Sequence, residues 1–489
     1  MQSILDRVRR PGRFVVAGAP PGHDAHTIAA IAQATGGPVL VVARDDVRMT
    51  ELEEGLGFFA PTLARLCFPA WDNLPYDRVS PNPELVSRRL NTLVTLAGEG
   101  ALAGPLVVVT TVSALLQRLP PRQAVAGSVL ALKPGDRLGP EALVAHLVRV
   151  GYVRDETVTI RGELAARGGI VDVFPPGYAE PLRFDYFGDE LETIRTFDSG
   201  NQRTTGRIEQ ARIEPVTEVM LDDAVIERFR LSFRALAGAV EADHPLYAAV
   251  SAGRRYSGME HWLPLFYERL ETLFEFLPEA PVILDHQAEE ARDARLALIT
   301  DYYQARRQAD GGRFGATGAA YHPVPPEAAF MSAEEWQARG AIVAVGRLSP
   351  FAPPPDVAGH LDAGGRPGLD FAEARQRGDV NVFDLVAARI GEHQGEGRRV
   401  LIAAVTAGSR DRLLSVFAGH GLARPKLAPS WPEAKALPAK AAGAVVLPLD
   451  RGYVTPRLAV IAETDILGER IARRAARRIR PENFLTEAS

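Results

Sequence analysis

The most constraining feature of the chain lies near its start. Phe14 to Ala17 is a short apolar run, followed by Gly18-Ala19-Pro20-Pro21-Gly22-His23-Asp24, a helical pattern from Thr27 to Gln33 and a second apolar run, Val39 to Val42. Strand, glycine loop, helix, strand is how a phosphate-binding α/β unit begins, and it commits the first domain to a parallel sheet. A working phosphate loop needs a lysine for the phosphates, a Ser or Thr for magnesium and free N–H groups. Here His23 and Asp24 take the first two places, and Pro20 and Pro21 have no N–H to offer. The first lysine of the chain is Lys133, so no shift of register rescues the motif. Gly18, Gly22, His23 and Asp24 are therefore expected to form a degenerate, inactive nucleotide loop, and no cofactor is expected.

The same alternation of strands and helices continues. A helix is expected over Asp46–Leu56, another around Arg88, Arg89 and Leu93, a strand over Leu106–Thr110 and a helix over Val112–Leu119. After Pro120-Pro121 the style changes. A helix over Ala142–Val150 leads into short antiparallel strands that run to Phe197. Leu182 to Phe187 alternates strictly, and Gly188-Asp189 supplies a two-residue turn into a returning strand, Leu191 to Phe197. Period two places Leu182, Phe184 and Tyr186 on one face and Arg183, Asp185 and Phe187 on the other. The first set is a core face. On the second, Phe187 either tucks under a loop beside a solvated Arg183, or the two form part of a binding surface, since arginine and aromatics dominate interface hot spots.

Helix returns from Asp223 to Val240, and Pro281–Leu284 reads as a buried strand ending in Asp285. That carboxylate is either a vestigial magnesium ligand or, more simply, the N-cap of a helix from Ala288. Ser349–Pro355 and Gly364–Gly368 mark a boundary. Beyond it, helices over Val380–Gly395 and Arg410–His420 and strands over Val400–Ala403, Ala444–Leu447 and Leu458–Ile461 make another small α/β domain. Leu467–Ile479 reads as a helix carrying Arg470, Arg473, Arg474, Arg477, Arg478 and Arg480, either a solvated linker or a phosphate-contacting run.

A chain of 489 residues is too long for one core, and three or four domains are expected. A net charge of −5 argues against a generally basic nucleic-acid coat. The single cysteine, Cys67, excludes an intrachain disulfide, fits a reducing cytoplasm and is expected to serve packing. No apolar run reaches the roughly 18 residues of a membrane span. The histidines form no ligand cluster, so no metal site is expected.

Five stretches carry a resemblance. They are W-D-N-L-P-Y-D-R-V-S-P with S-R-R-L-N-T-L after it, A-R-G-G-I-V-D-V-F-P-P-G, L-R-F-D-Y-F-G-D-E-L-E-T-I-R-T-F-D, and E-T-D-I-L-G-E-R. In that order they resemble the N-terminal part of the bacterial transcription-repair coupling factors (Mfd), a part related to the excision-repair subunit UvrB. The resemblance implies a UvrB-like, helicase-type parallel sheet domain split by an α+β insert, followed by a small α/β domain and a linker helix. In these terms residues 1–122 are domain 1A, 123–215 the UvrA-binding domain 2, 216–350 domain 1B, 351–456 domain 3 and 457–489 the basic linker helix. It implies a non-catalytic, cytoplasmic module that recruits UvrA, with Arg167, Arg183 and Phe187 matching residues of the UvrA contact. RNA polymerase and DNA are then partners of further domains beyond Ser489, among them an ATP-dependent DNA translocase. The alternatives are a UvrB-like damaged-DNA-binding protein and a helicase fragment. Against the former, only eleven residues separate Tyr76 from Arg88, too few for UvrB's long DNA-clamping hairpin.

Overall fold

The computed structural model describes residues 1–98, 100, 103–238, 244–309, 321–354, 357–377, 381–420 and 423–468. The run of arginines from Arg470 to Arg480 lies outside these residues. The protein is a mixed α/β molecule whose largest element is a seven-stranded, all-parallel sheet. Across it the strands run His360–Asp362, Gly12–Ala17, Ala344–Leu348, Val282–Leu284, Pro38–Ala43, Leu106–Thr111 and Ala64–Phe68. The central strands are near-continuous runs of Val and Leu because helices cover both faces, as parallel sheets require. The sheet is assembled from two separated parts of the chain, 12–111 and 282–362.

Between those parts lies a six-stranded sheet, in the order Thr204–Ile208, Glu190–Phe197, Leu182–Phe187, Ile170–Val173, Glu163–Arg167, Val153–Arg154. All its pairings are antiparallel except the last. Helix Pro140–Arg149 buries Leu143 and Leu147 against its inner face, where they meet Val171, Val173, Leu182, Phe184, Tyr186 and Ile194. This core shares no residue with the others. The chain leaving this sheet is pinned by Glu218, whose carboxylate accepts from Arg89 Nε at 2.6 Å and from Trp71 Nε1 at 3.1 Å. Arg89 is fully buried and also donates to the Pro69 carbonyl and to Gln117. The W-D-N-L-P and S-R-R-L stretches thus meet at one junction.

The third sheet runs Arg366–Pro367, Tyr453–Val454, Leu458–Ala462, Arg399–Ala404, Gly443–Val446, Lys426–Leu427. Two expected boundaries move. The strand Leu458–Ala462 lies inside this sheet and pairs with Arg399–Ala403, so the last domain runs past residue 456. The strand His360–Asp362 pairs with Val15–Ala17, so the first sheet reaches past residue 350. Both shifts have one cause: the chain crosses between the sheets around Gly364-Gly365, and the two sheets share a single hydrophobic core. Helices His23–Thr35 and Asp46–Phe59 lie between them, with Ala25, Ile28, Leu56 and Phe59 in one cluster with Leu401, Leu447, Leu449 and Tyr453. Helix His23–Thr35 is accordingly buried around most of its circumference.

Two histidines are caught in these cores. His261 is buried, lies 3.2 Å from the Asn73 amide and has its pKa pushed down to about 4 by burial. His26 stacks on Phe59 at 4.7 Å and meets the edge of Trp431, and burial likewise pushes it down to about 4. In the unfolded chain both take up a proton near pH 6.5, whereas the folded chain resists until about pH 4. The contribution of these two histidines is therefore full above pH 6.5 and falls as the pH drops toward 4, by about 3 kcal/mol for His261. In urea unfolding at pH 7 and pH 5, His261→Gln should lose less stability on acidification than the parent. An unchanged slope in His261→Gln would assign the loss to other groups.

Among the described residues no helix is long and apolar enough to cross a membrane.

Candidate functional site

Two places were singled out by sequence: the glycine loop of the first sheet and the outward face of the second.

In the loop, every N–H that could cradle a phosphate is already spent. Gly18 N–H donates to the Phe351 carbonyl at 2.7 Å and Ala19 N–H to the Ser349 carbonyl at 2.9 Å. Those of His23 and Asp24 both go to the Pro20 carbonyl, and those of Gly22 and Ala25 to Asp24 Oδ1. Pro20 and Pro21 have none. The space is filled as well. Gly365 N–H donates to the Gly18 carbonyl at 2.8 Å, and the His23 ring sits 3.0 Å from the Ala363 carbonyl. Leu449 and Tyr453 press on the loop from the third sheet, and a Cβ on Gly22 would come within 2.8 Å and 2.9 Å of them. Gly22 is also at φ +88°, a conformation that favours glycine.

Behind the loop, Asp24 is buried and bound to Arg48 Nη2 at 2.6 Å. Arg48 also reaches Asp285 at 3.2 Å and Glu51 at 2.5 Å. Burial works against the Arg48 charge, but Asp24 and Asp285 more than offset it and hold its pKa above the ordinary value. Arg48 thus lies between the Asp24 and Asp285 carboxylates. The expectation that Asp285 caps the helix from Ala288 is corrected here: its carboxylate accepts from Arg48 and from the Arg44 backbone and side chain. Arg48 carried no motif and was not legible beforehand.

The second sheet places Leu182, Phe184 and Tyr186 inward and buried, with Arg183, Asp185 and Phe187 outward. The turn at Gly188, φ +61°, returns the chain so that Glu190 pairs with Phe187. The outer face is graded along its strands. At one end Phe174, Phe197 and Val158 form a small dry cluster that reaches Ala165 of the next row. In the middle, Ala165, Asp172, Arg183 and Arg195 lie side by side on four neighbouring strands. At the far end come Arg167, Ile170 and Asp185, then Phe187. Phe187 is 78% exposed, the most exposed large hydrophobic residue among those described.

Arg183 is outward but not free. Its Nε and Nη2 donate to the two Asp172 oxygens at 2.7 and 2.8 Å, and its guanidinium lies over the Phe197 ring at 4.5 Å. The Asp172 hydrogen bonds raise its pKa against the opposing effect of burial. Only 20% of its side chain meets solvent. Arg195 is paired with Asp185 in the same two-pronged way. Arg167 is exposed and donates to the Glu156 carbonyl and to Thr157 Oγ1. Arg167, Arg183 and Phe187 thus share one face, with Arg183 in the middle row and the other two toward the open end. Asp172 and Phe197, which shape Arg183, were not singled out from sequence, although alternation along Ile170–Val173 does put Asp172 on this face.

Sequence comparison agrees with this anatomy. Residues 130–218 match the UvrB interaction domain and residues 393–466 match the D3 domain of MFD. The chain is therefore an α/β protein that carries regions similar to the UvrB interaction domain and to the D3 domain of MFD. Over nearly its whole length it is a relative of the transcription-repair-coupling factors. It is 30% identical to that of Escherichia coli K12 over 471 residues, covering 94% of this chain and 38% of the relative. It is 29% identical to that of Haemophilus influenzae, covering 93% and 38%, and 30% identical to that of Myxococcus xanthus, covering 97% and 40%. The chain spans about two fifths of the length of these relatives.

Proposed function

We propose that this chain is a non-catalytic recruitment module of transcription-coupled DNA repair that binds UvrA through the outer face of its second sheet. The observation that carries this reading is Phe187, 78% exposed on a rigid strand, on one face with Arg167 and Arg183, inside the stretch that matches the UvrB interaction domain. A large aromatic held in water beside fixed guanidiniums is the composition of an interface hot spot. In this assignment the first sheet is domain 1 with its two chain segments, the second is domain 2, and the third is domain 3. Contacts to RNA polymerase and DNA belong to parts of the longer relatives that this chain does not span. Calorimetric titration of the purified chain with UvrA tests the reading, and no heat of binding at tens of micromolar would sink it.

The reading includes the absence of nucleotide chemistry. The loop of Gly18, Gly22, His23 and Asp24 has no lysine and no unspent N–H, and its volume is occupied by Leu449 and Tyr453. ATP with magnesium should neither bind nor shift the melting temperature at millimolar concentration, because a ligand stabilises only what it binds. Micromolar affinity for ATP would overturn this.

A further inference from the structure

The outer face holds more than the three residues already named. Ile170 lies directly across from Arg167 on one side and Asp185 on the other, so it sits in the row adjoining Phe187 on the same face. It is 39% exposed, whereas its strand neighbours Val171 and Val173 are fully buried. At the opposite end of the face the apolar residues Phe174, Phe197 and Val158 are sealed together. Ile170 and Phe187 are thus exposed apolar side chains in adjoining rows, beside Arg167. Arg183 shows a second device. Asp172 engages Nε and Nη2, Phe197 supports the flat side of the guanidinium, and Nη1 has only a 3.5 Å approach to the Gln202 carbonyl. An arginine clamped in this way pays little ordering entropy when a partner accepts its remaining protons.

We propose that Ile170 is a second apolar contact residue beside Phe187, and that Asp172 is the positioning residue that holds Arg183 in its binding pose. The inference rests on the UvrA reading and specifies the surface UvrA must present: an apolar depression wide enough for a phenyl ring and a sec-butyl group, with oxygen acceptors on its rim. Asp172 does not touch the partner and acts only through Arg183.

The test uses the whole 489-residue chain. UvrA affinity and melting temperature are measured for Ile170→Asp, Asp172→Asn, Arg183→Ala and the double variant Asp172→Asn/Arg183→Ala, with Phe187→Ala as reference. Ile170→Asp should weaken UvrA about thirtyfold or more at an unchanged melting temperature, because the site is already open to water. Asp172→Asn should weaken it about fivefold to tenfold, and the double variant should bind no worse than Arg183→Ala alone, since the two residues act as one unit. Parental affinity in Ile170→Asp overturns the first assignment. Multiplicative losses in the double variant, or a lower melting temperature in Asp172→Asn at parental affinity, overturn the second. If Phe187→Ala weakens UvrA while Ile170→Asp does not, only this inference falls. If the parent chain does not bind UvrA, the proposed function falls first.

Discussion

Replacing Phe187 with alanine should lower UvrA affinity about thirtyfold, on the order of 2 kcal/mol, and leave the fold intact. The ring makes no contribution to the inner core, which is closed by Leu182, Phe184, Tyr186 and their partners. Its removal from a 78% exposed position opens no cavity. Phe184, three residues earlier on the same strand, should behave in the opposite manner. It is fully buried, and Phe184→Ala should destabilise the second sheet by about 3–5 kcal/mol. The pair makes a two-sided measurement by thermal melting and UvrA titration on the same two proteins. If Phe187→Ala melts early and its binding loss merely follows unfolding, the outward face is not the binding surface.

Removing the Arg48 guanidinium should cost even more relative to what the surface suggests. Arg48→Met leaves Asp24 and Asp285 buried close together with no cation between them. Breaking a buried ion pair from one side typically costs about 3–5 kcal/mol, because the remaining charge is stranded. The loss should appear in urea unfolding at pH 7 and shrink at acid pH, where protonation of Asp24, whose pKa burial already pushes up, relieves the stranded charge. A variant as stable as the parent at pH 7 would mean that the Arg48 pairing adds nothing to the fold. Arg44, which also approaches Asp285 at 3.4 Å, is one-third exposed and provides only partial relief.

Much of this architecture was legible in the chain because its signals are local. The apolar runs at Val39–Val42 and Leu106–Thr110, the alternation of Leu182–Phe187 and the turn at Gly188-Asp189 each fix an element through a few adjacent residues. Alternation also assigned Phe187 to the outward face, and the five motif stretches supplied the family. What could not be read was anything made by distant partners. Arg48 looked like an ordinary helix arginine, and its meeting with Asp285 spans 237 residues. Asp172 and Phe197 clamp Arg183 from two other strands. The union of the first and third sheets into one core also escaped, because the residues that fill the loop, Leu449 and Tyr453, lie more than 400 positions downstream of it. Single apolar side chains announce burial but not what they will be buried against.

That union sets an order of events during synthesis. The strand Gly12–Ala17 is among the first parts of the chain to be made, yet its partners are Ala344–Leu348 on one side and His360–Asp362 on the other. At ribosomal speeds of about 5–20 residues per second, those partners arrive roughly 15 to 65 s later. Leu449 and Tyr453, which complete the packing around the glycine loop, come later still. The second sheet has no such wait, since all its strands lie between Val153 and Ile208. The nascent chain should therefore present a finished second sheet, and with it the face proposed to bind UvrA, while the body that carries it is still an open sheet with unpaired edges. Those edges make the young chain a client for chaperones, and they place its greatest risk of aggregation before translation is complete.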